Sequence, residues 1–417
     1  MTRLILDKTI NKLSITLFFL TIWLPLLGSF LQWNTSSDLI IAIGESRSAA
    51  TFPKFQWELK YLEEFPNAFE AYYNDFFGFR EGLISWNNFI RARVFGSSPS
   101  SLVILGKYPW LFFKGEEVYY RAPLYKLEEL ERFKHILEER RNWLRSQGIQ
   151  YIFAIAPNKP TIYPEYLPDS VTYNPPYSRL DQITDYLKQH SDLEIVDLRK
   201  ELQNVKTSYR VYEKTDTHWN DVGAYFAYRA FINRVKQWFP SVGEPLGLSD
   251  FKLTSTLEPG GDLARMLKLQ STYQEDVLRL VPNSPRKASA LSFMKDYSTL
   301  PQKTIIHGSN SSSFFRVPPL VAEVQDNRLP RVLMLGDSFA GKGLIYFMIE
   351  HFRQTIFVGQ NVFDVELIQK EHPDVVIQEV VERGLAAEFS APDGFLSNSA
   401  PLKIKASSDR SVQLKHP

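Results

Sequence analysis

Cysteine is missing altogether from the 417 residues. Disulfides, thiolate zinc sites and a cysteine nucleophile are therefore excluded, although the absence fixes no compartment. Net charge is nearly missing too, because 48 Lys and Arg stand against 47 Asp and Glu. A balance of +1 gives no strong field toward nucleic acid or an acidic polymer, and no nucleic-acid partner is expected. Histidine is scarce, at seven residues, and no second His or carboxylate cluster stands at metal-ligand spacing. Neither a metal nor an organic cofactor is expected. Internal repeats are lacking as well. What remains is an ordinary globular composition, 44% hydrophobic and 23% charged, enough for a sizeable core.

One long apolar run is present. Leu13 to Leu31 reads LSITLFFLTIWLPLLGSFL without a charge. At about 1.5 Å per residue it matches the hydrocarbon thickness of a bilayer. Arg3, Lys8 and Lys12 precede it against Asp7 alone, which predicts a cytoplasmic N-terminus and an external remainder. Trp23 lies within the run, and Trp33 stands at its outer end. A retained signal anchor and a cleaved signal peptide compete. The length of the run and the lack of a small-residue cleavage site favour the anchor.

Residues 36–64 are mixed and partly polar, a linker. From residue 125 strands alternate with helices. Tyr125 to Arg145 is amphipathic, Tyr151 to Ala156 is a buried-type strand, Ser178 caps a helix to His190, and Leu193 to Val196 is a strand. A helix over Asp221 to Phe239 follows. Residues 240–330 read as inserted loops and short strands. The rhythm returns with strands at Val332, Thr355 and Val375 and helices over Phe339–Phe352 and Val365–Glu371. Upstream, Phe76 to Arg93 reads as a helix after a turn at Gly78, and Leu102–Leu105 and Trp110–Phe113 as short strands. The alternation predicts an α/β layered fold with a mainly parallel sheet and ligand sites at the carboxyl ends of its strands. Residues 391–417 are polar and read as a mobile tail.

Two segments carry chemistry. In Val332-Leu-Met-Leu-Gly-Asp-Ser338-Phe, a strand runs through Gly336 and Asp337 into a helix. That turn places the Ser338 hydroxyl at a strand end, beside helix-start N–H groups able to hold an oxyanion. Ser338 as a plain helix cap is the alternative. In Lys214-Thr-Asp216-Thr-His218-Trp-Asn220, Asp and His two apart share one side of an extended segment. Asp216 can orient the imidazole while the other ring nitrogen faces a nucleophile, the general-base half of a triad. A surface turn capped by Asn220 is the alternative there. Tyr151, Tyr163, Tyr166 and Tyr173 could offer sugar-stacking faces, though with 14% aromatics overall packing in a core or rim is the safer reading for any one of them.

Together these segments resemble the alginate O-acetyltransferase AlgJ/AlgX group, within the SGNH/GDSL hydrolase superfamily. The resemblance rests on Gly336-Asp-Ser338-Phe and Asp216-Thr-His218-Trp. It is joined by Asn74-Asp75-Phe-Phe-Gly-Phe-Arg80, Phe95-Gly-Ser-Ser-Pro99, Ala156-Pro-Asn-Lys159, Ile162-Tyr-Pro-Glu-Tyr-Leu-Pro168 and Gly261-Asp262-Leu-Ala. It spans residues 65–390 and shares the group's permuted order, with Asp and His before Ser.

The resemblance implies an SGNH-like three-layer fold behind an anchor over residues 1–35. The implied activity is O-acetyl transfer to hydroxyls of an exported polysaccharide through an acetyl-serine, with Ser338, His218 and Asp216 as the triad. It further implies a periplasmic domain on the inner membrane and a multispanning membrane acyltransferase as acetyl donor. A carbohydrate acetylesterase and a non-catalytic polysaccharide-binding scaffold are the competing readings. The Gly-x-Asn-Asp block of ordinary SGNH enzymes is missing, so the second oxyanion donor is open among the Gly359 backbone, Asn158 and Arg383. Arg383 pairing with Glu379 at i,i+4 is the structural alternative. Lys159 either faces substrate or is an exposed loop lysine. Gly106-Lys-Tyr-Pro-Trp110 departs from the Gly-Lys-Asp-Gly-Trp frequent in relatives, which leaves that loop's contacts open.

Overall fold

The computed structural model describes residues 2–31, 48–54, 59–171, 177–291 and 320–388. Trp33, Tyr173 and the 391–417 tail lie outside these described residues. Helix α1 (Thr2–Phe30) holds the apolar run; its Ile10–Ser29 stretch is long and apolar enough to cross a membrane. Next come α2 (Leu59–Phe76), which runs across the 64/65 boundary, and α3 (Arg80–Phe89), whose turns widen over Ile90–Val94. The turn expected at Gly78 is present: Phe79 takes φ 65° and α3 starts directly after it.

A two-stranded antiparallel ribbon follows, β1 (Val103–Leu105) with β2 (Leu111–Phe113), and then α4 (Lys114–Arg121). The main sheet, among the described residues, has the order β4-β3-β11-β9-β10-β8-β7. These strands are β3 (Gln150–Ala156), β4 (Ile195–Asp197), β7 (Ser289–Leu291), β8 (Leu320–Glu323), β9 (Arg331–Leu335), β10 (Gln354–Val358) and β11 (Val375–Val381). β4, β3, β11, β9 and β10 are mutually parallel, and β8 and β7 finish one edge antiparallel. The five parallel strands therefore bring their carboxyl ends to one edge.

Alternation along these strands feeds two cores. Ile152, Ala154, Met334 and Ile377 face one side, with the helix Asp221–Val235 packed there. Tyr151, Phe153, Leu333 and Val376 face the other, against helices Leu127–Ser146, Arg179–His190 and Val365–Glu371. The result is three layers, helix, sheet and helix. The 240–330 insertion holds more regular structure than its sequence suggests. β5 (Phe251–Glu258) and β6 (Glu275–Pro282) pair antiparallel over eight residues each.

The chain leaves β9 for β10 on one side and then returns to β11 on the other. That reversal makes a crevice at the carboxyl end of β9, the place where such sheets bind ligands.

Candidate active site

Ser338 follows the end of β9. Gly336 is needed because a side chain there would meet Ala340 Cβ at 2.6 Å. Asp337 clamps the turn: Oδ1 accepts from Phe339 N (2.8 Å) and Oδ2 from Val381 N (2.8 Å) at the end of β11. Beneath it Glu379 Oε2 accepts from Asp337 N (3.2 Å). Burial, and then the nearby Asp337 carboxylate, push Glu379 well above the usual carboxylate range. The Phe339 N–H, one of the helix-start donors expected to be free, is thus committed to Asp337. The helix expected over Phe339–Phe352 is also interrupted, at Lys342 and Gly343. Gly343 takes φ +97°, which favours glycine, and Trp219 Nε1 donates to the carbonyls of both Phe339 and Lys342 at 3.0 Å.

The Asp216–His218 loop lies above this turn. A bridge between Tyr212 and Trp219 closes its base, and Glu213 N donates to His218 O. Asn220 caps the following helix by accepting from Gly223 N (3.0 Å). The loop is no surface turn, for Asp216, Thr217, His218 and Asn220 are all buried. His218 Nε2 stands 2.8 Å from Ser338 Oγ, and His218 Nδ1 stands 2.6 Å from Asp216 Oδ1. A carboxylate only accepts, so Nδ1 carries the proton and Nε2 is left to accept from the serine hydroxyl.

Asp216 Oδ2 accepts from Lys342 Nζ (2.6 Å) and from Asp262 N (3.0 Å). Burial alone would push Asp216 up, but the Lys342 ammonium and then His218 hold it well below the usual carboxylate range. Gly261 permits this approach, since a Cβ there would collide with the Asp216 side chain.

The remaining sequence-derived residues fall into place differently. Lys159 is neither exposed nor facing substrate. It is fully buried, and its Nζ donates to the carbonyls of Glu213 (3.2 Å), Lys214 (3.1 Å) and Asp216 (2.7 Å). Burial lowers it to about 8 against the pull of Glu116, Glu275, Asp262 and Asp216. Asn158 is also buried, and its Oδ1 accepts from Arg383 N (3.3 Å) and Arg383 Nη1 (3.4 Å). Arg383 does not pair with Glu379 along a helix. Glu379 lies in β11, whereas Arg383 sits in the turn beyond it, reaches Glu116 (3.4 Å) and lies 5.4 Å from the Phe339 ring. Gly359 follows β10 beside the Ser338 turn, where Gly336 N donates to Val358 O (3.3 Å). Tyr151 and Tyr163 are buried, and Tyr166 stacks on Trp110 at 4.3 Å, so these three pack rather than present faces.

Three participants escaped the sequence reading. Lys342 looked like an ordinary helix residue. Asp262 was noted only within a family block; it accepts from Thr217 Oγ1 (2.5 Å) and Thr217 N (2.8 Å) and lies 3.6 Å from His218 Nδ1. Glu275 accepts from Lys214 N (2.6 Å), Thr215 N (2.9 Å) and Thr215 Oγ1. Asp216, His218 and Asp262 thus do form a carboxylate–histidine cluster, with atoms within 4.8 Å of one another. Its lone pairs are already used by Lys342, Thr217 and backbone N–H groups, and a dication there would have to displace an ammonium.

A mainly parallel, helix-flanked sheet with a Gly-Asp-Ser turn at its carboxyl edge defines an SGNH-hydrolase-like domain. The sequence takes this further: residues 103–316, just over half of the chain, match the SGNH hydrolase-like domain of the acetyltransferase AlgX, and the protein belongs to that family. The matched span includes Asp216, His218 and Asp262 and stops before Ser338. A probable alginate O-acetylase AlgJ from Pseudomonas fluorescens is 28% identical over 277 residues, 66% of this chain and 63% of that protein. The chain spans under two thirds of the length of the curated relatives it matches. Among solved structures, Bacillus cereus PatB1 is 19% identical, with 70% of this chain and 98% of that chain covered at a TM-score of 0.47. The O-acetyltransferase domain of Pseudomonas putida AlgJ is also 19% identical, with 70% and 93% covered at 0.41.

Proposed function

We propose that this protein is a membrane-anchored O-acetyltransferase that moves an acetyl group through Ser338 onto hydroxyls of an exported polysaccharide. The observation that carries the reading is the unbroken line from Ser338 Oγ through both nitrogens of His218 to Asp216, in a chain of an acetyltransferase family. His218 Nε2 takes the Ser338 proton as Oγ attacks the donor's acetyl carbonyl. The donor's oxygen leaves with that proton, and the acetyl group stays on Oγ. A sugar hydroxyl then gives its proton to His218 and attacks the acetyl-serine, which frees Oγ to be reprotonated. Asp216 keeps the imidazole in the working tautomer and stabilises its charged form.

The oxyanion is assigned to the Ser338 N–H with Gly359 N–H or Arg383 as second donor. Asn158, whose carbonyl is spent on Arg383, serves to position it. One such donor contributes about 3–4 kcal/mol to the transition state. A multispanning membrane acyltransferase is the partner that presents the acetyl group, and α1 tethers the catalytic domain on the external face of the inner membrane.

Mass spectrometry after exposure to an aryl acetate tests the chemistry. One acetyl group on the Ser338 peptide, passed to an oligosaccharide, is the expected result. Release to water alone, with an acceptor present, makes the protein an esterase. No adduct at all makes it a scaffold.

A further inference from the structure

The family chemistry leaves one surface unused. Helix α3 and its wide-turn extension expose an apolar stripe: Leu83, Trp86, Val94 and, at its end, Phe95, with Ile90 half-buried between them. Trp86 is 62% exposed, Val94 66% and Phe95 73%, although the same stretch buries Arg80 and Ala92. A row of large apolar side chains in water is unfavourable, and such a row marks a contact surface.

The start of this helix is fixed beside the apolar helix. Gly78 N donates to Pro25 O (3.2 Å) and to Ser29 Oγ (2.7 Å), both in the last turns of the Ile10–Ser29 stretch. The approach is close, because a Cβ on Gly28 would stand 2.8 Å from the Phe79 ring. α3 therefore begins at the level where a spanning α1 leaves the hydrocarbon. A helix starting there with an apolar stripe and a tryptophan has the character of an interfacial helix.

We infer that the Leu83–Phe95 stripe is a second membrane contact, seated in the outer interface of the bilayer that α1 spans. This rests on the anchoring proposed above. Its occupant is lipid, since the stripe continues from the apolar helix. The contact also reaches the site. Asn88 Nδ2 donates to Leu267 O (2.9 Å) and Lys268 bridges to Glu81 (3.2 Å), which ties α3 to the end of the Asp262–Met266 helix that supplies Asp262. Seating α3 would hold the catalytic cleft at a set height and tilt over the membrane instead of on a free tether.

The native chain has no cysteine, so single-cysteine variants of the full-length protein can each carry one spin label. Leu20→Cys, Trp86→Cys, Val94→Cys and Gln189→Cys are reconstituted in phosphatidylcholine–phosphatidylglycerol nanodiscs. Collision with oxygen, enriched in lipid, is compared with collision with a water-soluble nickel chelate. The expected oxygen-to-nickel ratio at 86 and 94 is several-fold above that at Gln189, an exposed polar helix position, and approaches that at Leu20. Ratios at 86 and 94 equal to Gln189, with Leu20 still in lipid, overturn the stripe while the anchor stands. Shielding of 86 and 94 from both relaxants also overturns it, in favour of a protein partner. An aqueous ratio at Leu20 removes the anchoring and this contact together.

Discussion

The two halves of the site are built on opposite plans. The Ser338 turn grows directly from β9, the fourth of the seven strands in sheet order, and its Asp337 clamp reaches the neighbouring strand β11. The Asp216–His218 loop has no sheet beneath it. One bridge and a few local backbone bonds close its base, and the rest of its hold includes tethers from far along the chain: Lys159, Asp262, Glu275 and Lys342. The serine side is held by backbone geometry, whereas the base side is held by buried charges. Damage to the sheet-borne half should act through chemistry alone. Damage to the tethered half should mix chemistry with loop order and with pH.

The largest effect is expected where the halves meet. Ser338→Ala and His218→Ala should each lower acetyl transfer by roughly a thousandfold or more, and Asp216→Ala somewhat less, because such residues act as a unit. Only Ser338→Ala should also abolish the covalent acetyl adduct. Steady-state transfer assays and adduct mass spectrometry on folded variants check this. An adduct that survives Ser338→Ala places the nucleophile elsewhere.

Lys159→Met comes next, and it tests the tether alone, since Lys159 lies below the loop. Three carbonyls lose their shared donor. A buried acceptor left without a partner costs about 1–3 kcal/mol. Transfer should fall roughly a hundredfold and urea stability by about 3 kcal/mol. Unchanged stability would mean that the loop is held by its bridge and not by Lys159.

The same contrast decides what the sequence revealed. Strand, Gly-Asp-Ser and helix are adjacent, so the nucleophile turn was readable from local pattern, as was the Asp-x-His spacing. The mainly parallel sheet and its shared carboxyl edge followed from the β/α rhythm, whereas the strand order came only with the fold. The tethers were not readable, because each joins segments tens of residues apart. Lys342 lies 126 positions from Asp216. Gly341 and Gly343 around Lys342 were the one local hint that the run Phe339–Phe352 breaks, and the Trp219 bonds at the break come from another segment. Lys159 looked like a loop lysine because its burial depends on the Asp216 loop folding over it.

Lys342→Met should act more mildly, with a signature in pH. The ammonium is a leading reason that Asp216 stays ionised in a buried setting. Its removal raises the Asp216 pKa, so the carboxylate is lost at a higher pH as acid is added. The acid limb of kcat/KM should move upward, with a larger loss at acid pH than near neutrality. Lys342→Arg should restore most of the limb. A uniform loss at every pH would show that Lys342 only shapes the turn.

The smallest effect separates the halves by stability instead of rate. Glu213, within the tethered loop, is raised to about 8 by burial and by Glu275, against the pull of Arg210. Its ordinary value is 4.5, so between those limits the folded protein holds a proton that the unfolded chain has released. Its stabilising contribution is therefore full below pH 4.5 and is lost as pH rises through 8. Glu213→Gln keeps the neutral form at every pH and should flatten the fall in unfolding free energy between pH 6 and 9 by on the order of 1 kcal/mol. Glu116 and Glu382, each raised by burial to about 7, lie outside the loop and will leave part of that fall in place. Denaturant titrations at both pH values, on wild type and variant, measure the difference. An identical slope would mean that Glu213 ionises freely against Arg210, and that the base side of the site is less charge-dependent than its burial implies.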